Sequence, residues 1–351
     1  MSVLLTGATG FVGTEVLARL LRDGDEPIDA LVRDSRRLDA VLDSLAATPE
    51  QRARVRARAG ELTEPGLGLA RADSLALVNE VSEIVHCAAS VSFGLDLEEA
   101  RAINVDGTRS VLGLAERVAR RGGLERFVHV STAYVAGRHR GRFGEADLWV
   151  GQEFRNTYEQ SKAEAEQLVR ERGALFPSVV VRPSIVMGDS TTGWTPVFNV
   201  LYWPLRAYSR GLLTQVPAAA DARVDVVPVD YVADAIVHVL RERPRVRGVI
   251  HATASDGAVT VERLAELAAT TLGRKRVGLA AHDGGLAARS DEAAQYLPYF
   301  DMAVTFDDAR ARRILRAAGI APPPLDEYFP TLIDFARRAR WGKRPITRVA
   351  A

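Results

Sequence analysis

Tyr158 and Lys162 stand four residues apart in the string NTYEQSK. On a helix that spacing puts both on one face. An ammonium beside a phenol lowers the phenol's pKa, so the pair reads as a proton donor working near neutral pH. Upstream, VSTAYV offers the hydroxyls of Ser131 and Thr132 at the end of an apolar run. A second constellation lies near the N-terminus, where TGATGFVG sets Gly7, Gly10 and Gly13 between an apolar run and an amphipathic one. Glycines there permit a tight turn and let backbone N–H groups approach a pyrophosphate, with a helix N-terminus facing its charge. The spacing is GxxGxxG rather than GxGxxG. Thr6, Gly7, Thr9, Gly10, Phe11, Val12 and Gly13 are the contacts expected of this turn. About 20 residues past the last glycine, where an acid would hold a ribose 2′-OH, stands Arg33, with Arg36 and Arg37 close behind. A cation there suits a 2′-phosphate. The expected cofactor is therefore NADPH; the alternative, that Asp34 takes an unphosphorylated ribose, stays open.

These groups need a scaffold, and the apolar periodicity supplies one. Apolar runs at 3–5, 28–32, 55–59, 83–88, 127–131 and 179–186 alternate with helical patterns at 11–21, 36–45, 97–120 and 157–172. Such alternation implies βαβ units with right-handed crossovers. The expected fold class is α/β, a Rossmann-type doubly wound parallel sheet with a smaller, mostly helical C-terminal substrate part. Residues 224–229 read as a strand returning to the sheet, followed by a helix through 240 and a last strand at 249–253. Helical patterns follow at 260–272 and 308–317. Residues 1–188, with 224–254 returning to them, form the expected cofactor domain. Residues 189–223 and 255–351 form the expected substrate-binding or lid part.

Composition narrows the function. The 351 residues carry 46 Lys+Arg against 45 Asp+Glu, so the basic excess of a general nucleic-acid binder is missing. A content of 47% hydrophobic and 26% charged residues excludes a disordered chain. The one cysteine, Cys87, excludes a disulfide framework and a Cys-rich zinc site, and no metal-ligand spacing occurs. Cys87 reads as an inert buried thiol, and His86 and His129, inside apolar runs, as core residues. No apolar run reaches the roughly 18 residues a membrane-spanning helix needs, and the first residues lack a signal-peptide pattern. A cytoplasmic location is the expectation.

Together, TGATGFVG, HCAASVSF, VSTAYV, YEQSK and VRPSIV resemble the extended short-chain dehydrogenase/reductase superfamily over roughly residues 1–255. GELTEPGLGL, RPSIV at 182–186, VDVVPVDYVADAIV and YLPYFDMAVTFDDARARRIL resemble its fatty acyl-CoA reductase and thioester reductase branch. The resemblance implies that Thr132 joins Tyr158 and Lys162 as catalytic; Ser131, at the same strand end, is expected at the cofactor because ligands of open α/β sheets lie there. It implies that Glu61, where the family usually has Asp, lies near adenine with Leu62. It also implies that Ala88, Ala89 and Ser90 line the cofactor, and that Pro183, Ser184, Ile185 and Val186 lie near the nicotinamide. The implied activity is NADPH-dependent reduction of an acyl thioester, on coenzyme A or a carrier protein, to the aldehyde, with further reduction to the alcohol open. The alternative is a ketone or aldehyde reductase of the same superfamily. Sugar-nucleotide epimerisation is a lesser reading, because Ala133 and Tyr134 replace the Asp-Glu pair that the related dehydratases carry. A non-enzymatic nucleotide sensor is another, although a sensor needs no Tyr158–Lys162 pair.

Val197, Val200, Leu201, Leu205 and Tyr208 recur at helical spacing and suggest a lid or tunnel wall for an acyl chain, kinked at Pro204. Arg138, His139, Arg140 and Arg142 could meet the phosphates of coenzyme A or a carrier arm, or form a solvated loop. Weak membrane contact through Trp194, Trp203, Arg206 and Arg210 is a third option.

Overall fold

The structure is a computed structural model that describes residues 1–243, 245–280, 296–300 and 302–350. Of the expected segments, Pro244, residues 281–295, Asp301 and Ala351 lie outside the described residues. Seven parallel strands form the central sheet: β1 (Ser2–Thr6), β2 (Ile28–Val32), β3 (Val55–Ala59), β4 (Val81–His86), β5 (Arg126–Val130), β6 (Ser178–Pro183) and β7 (Gly248–Ala252). Their order is β7-β6-β5-β4-β1-β2-β3, so the strand order reverses between β1 and β4. Ligands of open α/β sheets bind at such a reversal, beyond the carboxyl ends of the strands.

Helices cover both faces. α1 (Phe11–Asp23) packs Val16, Leu17 and Leu20 on one face, and a later helix, Val229–Arg241, adds Val232 and Ile236 there. On the other face α2 (Gly107–Arg120) buries Val111, Leu112, Ala115 and Val118, an apolar stripe at helical spacing. α3 (Thr157–Arg172), capped by the Asn156 side chain, lies beside it. A third core joins Ala133–Ala136 to the C-terminal segments. It holds α4 (Tyr202–Ser209), the Val229–Arg241 helix designated α5 lying outside it, and α6 (Val261–Leu272) and α7 (Leu325–Arg338).

Four expectations change. The pattern at 97–120 is not one helix: Leu97–Arg101 passes through a π turn, Ala102–Asp106, before α2 begins. The widened turn places the Asn104 side chain against Ser90 and Ser161. The run at 179–186 breaks at Pro183, which has no N–H for a ladder. Ile185–Met187 then pairs with Val226–Pro228 in a separate two-stranded ladder, so 224–229 does not return to the central sheet. Pro204 does not kink α4. The helix starts at Tyr202, and a first-turn proline removes no helical hydrogen bond.

Candidate active site

The glycine turn leaves β1 at Thr6. Gly7 has φ +75°, and a Cβ on it would stand 2.7 Å from the Ala88 nitrogen at the end of β4. A Cβ on Gly13 would stand 2.0 Å from the Gly7 carbonyl oxygen. α1 opens on Gly10, which brings no side chain to cap the first N–H groups. The turn is thus a cradle that side chains would fill, topped by unclaimed donors, and it fits a pyrophosphate. Thr6 itself faces inward. Its hydroxyl accepts from Ala88 N (3.2 Å) and donates to His86 Nδ1 (2.7 Å). His86 Nε2–H then donates to Thr108 Oγ1 (3.0 Å), whose hydroxyl donates to the Asn104 carbonyl (2.6 Å). Burial lowers the His86 pKa to about 3, so the ring is neutral in this chain.

Arg33 follows β2 with an exposed side chain, 3.6 Å from Glu61 at the end of β3. Asp34 caps the next helix through Arg36 N (3.0 Å) and also binds the Arg36 guanidinium. Asp34 and Arg36 are therefore occupied with each other, while Arg37 is exposed. Leu62 packs over the start of α2. Ser90 N donates to Asn104 Oδ1 (2.8 Å). Ile185 is buried and Val186 half-buried just past the end of β6. Ser184 is buried next to Asp225, a carboxyl that burial raises to about 6.

Thr132, Tyr158 and Lys162 converge where β5 ends beneath the first turns of α3. Thr132 Oγ1 accepts from Tyr134 N (3.2 Å), and the same hydroxyl lies close enough to the Tyr158 phenol to lower its pKa. The expectation that Lys162 lowers the Tyr158 pKa is overturned. Lys162 Nζ donates instead to the Val130 carbonyl (2.8 Å), and burial pushes the phenol up to about 12 while Thr132 draws it down. Burial brings Lys162 down to about 8, with Glu166 and the Cys87 site opposing that shift. Both groups are therefore protonated at pH 7. Ser131, expected at the cofactor, turns its hydroxyl away to the buried carboxylate of Glu166 (2.8 Å). His129 is buried with its pKa held well below the usual value, and burial raises Cys87 to about 12. The sequence reading of His129 as a core residue agrees with this, while Cys87, read as buried, is partly exposed.

An aromatic wall faces Tyr158. The Phe93 ring lies 5.7 Å from Tyr158 and stacks on Tyr299 at 5.5 Å; Tyr299 meets Tyr134 edge-on at 5.2 Å. Tyr299 donates to Glu159 Oε1 (2.8 Å) and accepts from Asn156 Nδ2 (2.9 Å). Phe300, next in the chain, lines an apolar void of about 40 Å³ with Leu201, Leu205, Tyr208, Leu213 and Leu264. Three of the five residues singled out at 197–208 thus reach the void, while Val197 is exposed and Val200 is partly buried against the same core. Trp194 is unsuited to membrane contact: it is buried against Phe11, and its Nε1–H donates to the Ile346 carbonyl. Arg142 pairs with Asp307 (2.7 Å), and Arg138 and Arg140 lie exposed.

Sequence reasoning missed Phe93, Asn104, Glu166 and Tyr299. Glu166 left a signal, a carboxylate one helical turn beyond Lys162 on a face the structure buries. Asn104 left none, because its role depends on the π turn. Among the described residues, no helix is long and apolar enough to cross a membrane, and no group of three His, Cys, Asp or Glu is placed to hold a metal.

The sheet reversal, the open glycine cradle and the Thr132–Tyr158–Lys162 convergence define a Rossmann-type protein with a nicotinamide-cofactor site. Residues 5–236 match the NAD-binding family described as Male sterility protein, and the chain belongs to it, in the fatty acyl-CoA reductase and thioester reductase branch of the extended short-chain dehydrogenases/reductases. Fatty acyl-CoA reductase 1 of Homo sapiens is 33% identical over 275 residues, covering 66% of this chain and 53% of that protein. The chain thus spans about half the length of the curated relatives it matches. The terminal R domain from the myxalamid PKS-NRPS biosynthetic pathway superposes with a TM-score of 0.83 at 27% identity, covering 98% of this chain and 92% of that one. A thiolation-reductase di-domain from an archaeal non-ribosomal peptide synthetase shares the fold, with a TM-score of 0.75 at 21% identity over 97% of this chain and 76% of that one.

Proposed function

We propose that this protein is an NADPH-dependent reductase of an acyl thioester, carried on coenzyme A or a carrier protein, releasing the aldehyde. The observation that carries the reading is the meeting of Thr132, Tyr158 and Lys162 with an aromatic and apolar wall, in a chain that aligns over nearly its whole length with a terminal R domain. When bound, the reduced nicotinamide supplies a hydride to the carbonyl carbon. The glycine cradle and the α1 N-terminus would hold its pyrophosphate, and Arg33, with Arg37 nearby, would meet a 2′-phosphate.

The chain's own groups manage the charge that develops on the substrate oxygen. Thr132 accepts from Tyr134 N, which leaves its hydrogen free to turn toward the phenol or that oxygen. Tyr158, pushed up to about 12, holds its proton until an oxyanion stronger than a thioester carbonyl appears beside it. Lys162, anchored on Val130 O, keeps a positive charge beneath the site up to about pH 8. Collapse of the tetrahedral hemithioacetal then expels the thiol. Phe93 and Tyr299 exclude water from the reacting carbonyl.

The narrowness of the void supports a second reading. About 40 Å³ is little more than the room for one or two waters, so a long acyl chain must part this wall, whereas a compact ketone or aldehyde need not enter it. Consumption of NADPH with a panel of acyl-CoAs, acyl-carrier proteins and free aldehydes separates the two. Turnover of thioesters is expected; turnover of aldehydes alone would establish the second reading.

A further inference from the structure

Glu166 is fully buried one helical turn beyond Lys162, and its carboxylate is shared by two strand segments and its own helix. Its Oε2 accepts from Ser131 Oγ (2.8 Å) at the end of β5 and from Arg182 Nε (2.9 Å) on β6. Its Oε1 accepts from Arg182 Nη2 (2.7 Å) and Arg170 Nε (2.9 Å). Arg182 is itself fixed as the donor, because its Nη1 faces Nε2 of His251 on β7 (3.1 Å), whose Nδ1–H is spent on the Asp307 carbonyl (2.7 Å). One carboxylate therefore ties α3, which carries Tyr158 and Lys162, to the strand end that carries Thr132.

The groups facing Lys162 make this carboxylate more than a brace. On α3 it is Glu166; from the end of β4, His86 and Cys87; from β5, His129; from β6, Arg182 acts through Glu166. Burial keeps both histidines and the thiol uncharged. Glu166 is the anion of this set, ion-paired with Arg182 and partly exposed Arg170, and its charge acts on Lys162 one helical turn away.

We propose that Glu166 is a positioning residue of the Thr132–Tyr158–Lys162 centre, holding α3 on the end of β5 and supplying the negative charge that keeps the Lys162 ammonium ionised inside the fold. The proposal rests on the reductase reading only for Lys162's role in turnover; its electrostatic part is independent of substrate.

The chain makes the test direct, because it has three lysines: 162, 275 and 343. Lys162 is buried, Lys275 and Lys343 exposed. With ¹³C-labelled lysine in the cofactor-free chain, the pH titration of three side-chain signals is followed by NMR. In Glu166→Gln the Lys162 midpoint is expected to fall from about 8 by roughly one unit, a tenfold loss of proton affinity, with the other two unmoved. Glu166→Gln leaves Arg182 short of its counter-charge, so Arg170→Ala is run beside it. That variant strips a partly exposed cation from the same carboxylate and is expected to raise the Lys162 midpoint. In kinetics, Glu166→Gln moves the alkaline limb of kcat/KM down by the same unit, about a tenfold loss at pH 8.5 with little change at pH 6. An unmoved Lys162 midpoint in the folded variants, or a rate loss equal at every pH, would overturn the proposal. Absence of thioester turnover in the unaltered chain would overturn the reductase reading and leave the NMR result standing.

Discussion

The cofactor half and the proposed acyl half of the site are built by different means. The cofactor half is backbone: glycines at 7, 10 and 13, an uncapped helix N-terminus, and close strand ends where a Cβ would collide with Ala88 or Gly7. The acyl half is side chain: Phe93, Tyr134, Tyr299 and the residues around the void, drawn from segments up to two hundred residues apart. A backbone cradle tolerates almost no substitution but reads one ligand feature, a diphosphate. A side-chain wall tolerates repacking and so can be retuned to different acyl groups. Between the halves lies a layer of buried polar groups, in which Lys162 is held by the Val130 carbonyl and Glu166 by Ser131.

That contrast can be broken in order of effect. Tyr158→Phe removes the proton donor from the boundary of the halves. Turnover is expected to drop by about 10³-fold with cofactor affinity retained, measured by kcat beside a fluorescence titration. Gly13→Val drives a side chain into the Gly7 carbonyl, and cofactor affinity is expected to fall by about 10²-fold. If binding survives, the backbone account of the cofactor half fails.

Lys162→Met probes the layer between. The folded pKa of Lys162, about 8, lies below its ordinary 10.5, so the unfolded chain binds more protons between these values. The resulting cost to the native state is full below pH 8 and disappears as pH rises through 10.5. The methionine variant is thus expected to be more stable than the parent at pH 7 by about 3 kcal/mol, as read from urea midpoints, with the gap closing by pH 10.5, while turnover is lost. A constant gap would show that packing, not charge, sets the difference.

Arg33→Ala is expected to weaken NADPH by about tenfold and leave NADH unchanged, measured as the ratio of Michaelis constants. Equal effects on the two would remove the 2′-phosphate role. Smallest is Leu213→Ala at the void. It is expected to raise the preference for longer acyl chains by about fivefold, read as a ratio of kcat/KM values across chain lengths, and to lower stability by about 2 kcal/mol. A variant that shifts cofactor affinity instead would show that the halves are not separable.

The sequence by itself determined what local spacing can encode. The glycine turn, the alternation of strands and helices, and the pairing of Tyr158 with Lys162 on one helix each follow from neighbours within a few residues. It did not reveal that Lys162 bonds Val130 and that Thr132 is the phenol's partner, because that choice depends on how far α3 sits along β5. The strand break at Pro183 was legible as chemistry but not as topology; only the fold shows Ile185–Met187 leaving the sheet to pair with Val226–Pro228. The π turn that aims Asn104, the inward turn of Ser131 to Glu166, and the stacking of Phe93 on Tyr299 bring together residues far apart in the chain. Such meetings leave no periodicity for the sequence to show, since a buried contact depends on the space remaining once sheet and helices have packed.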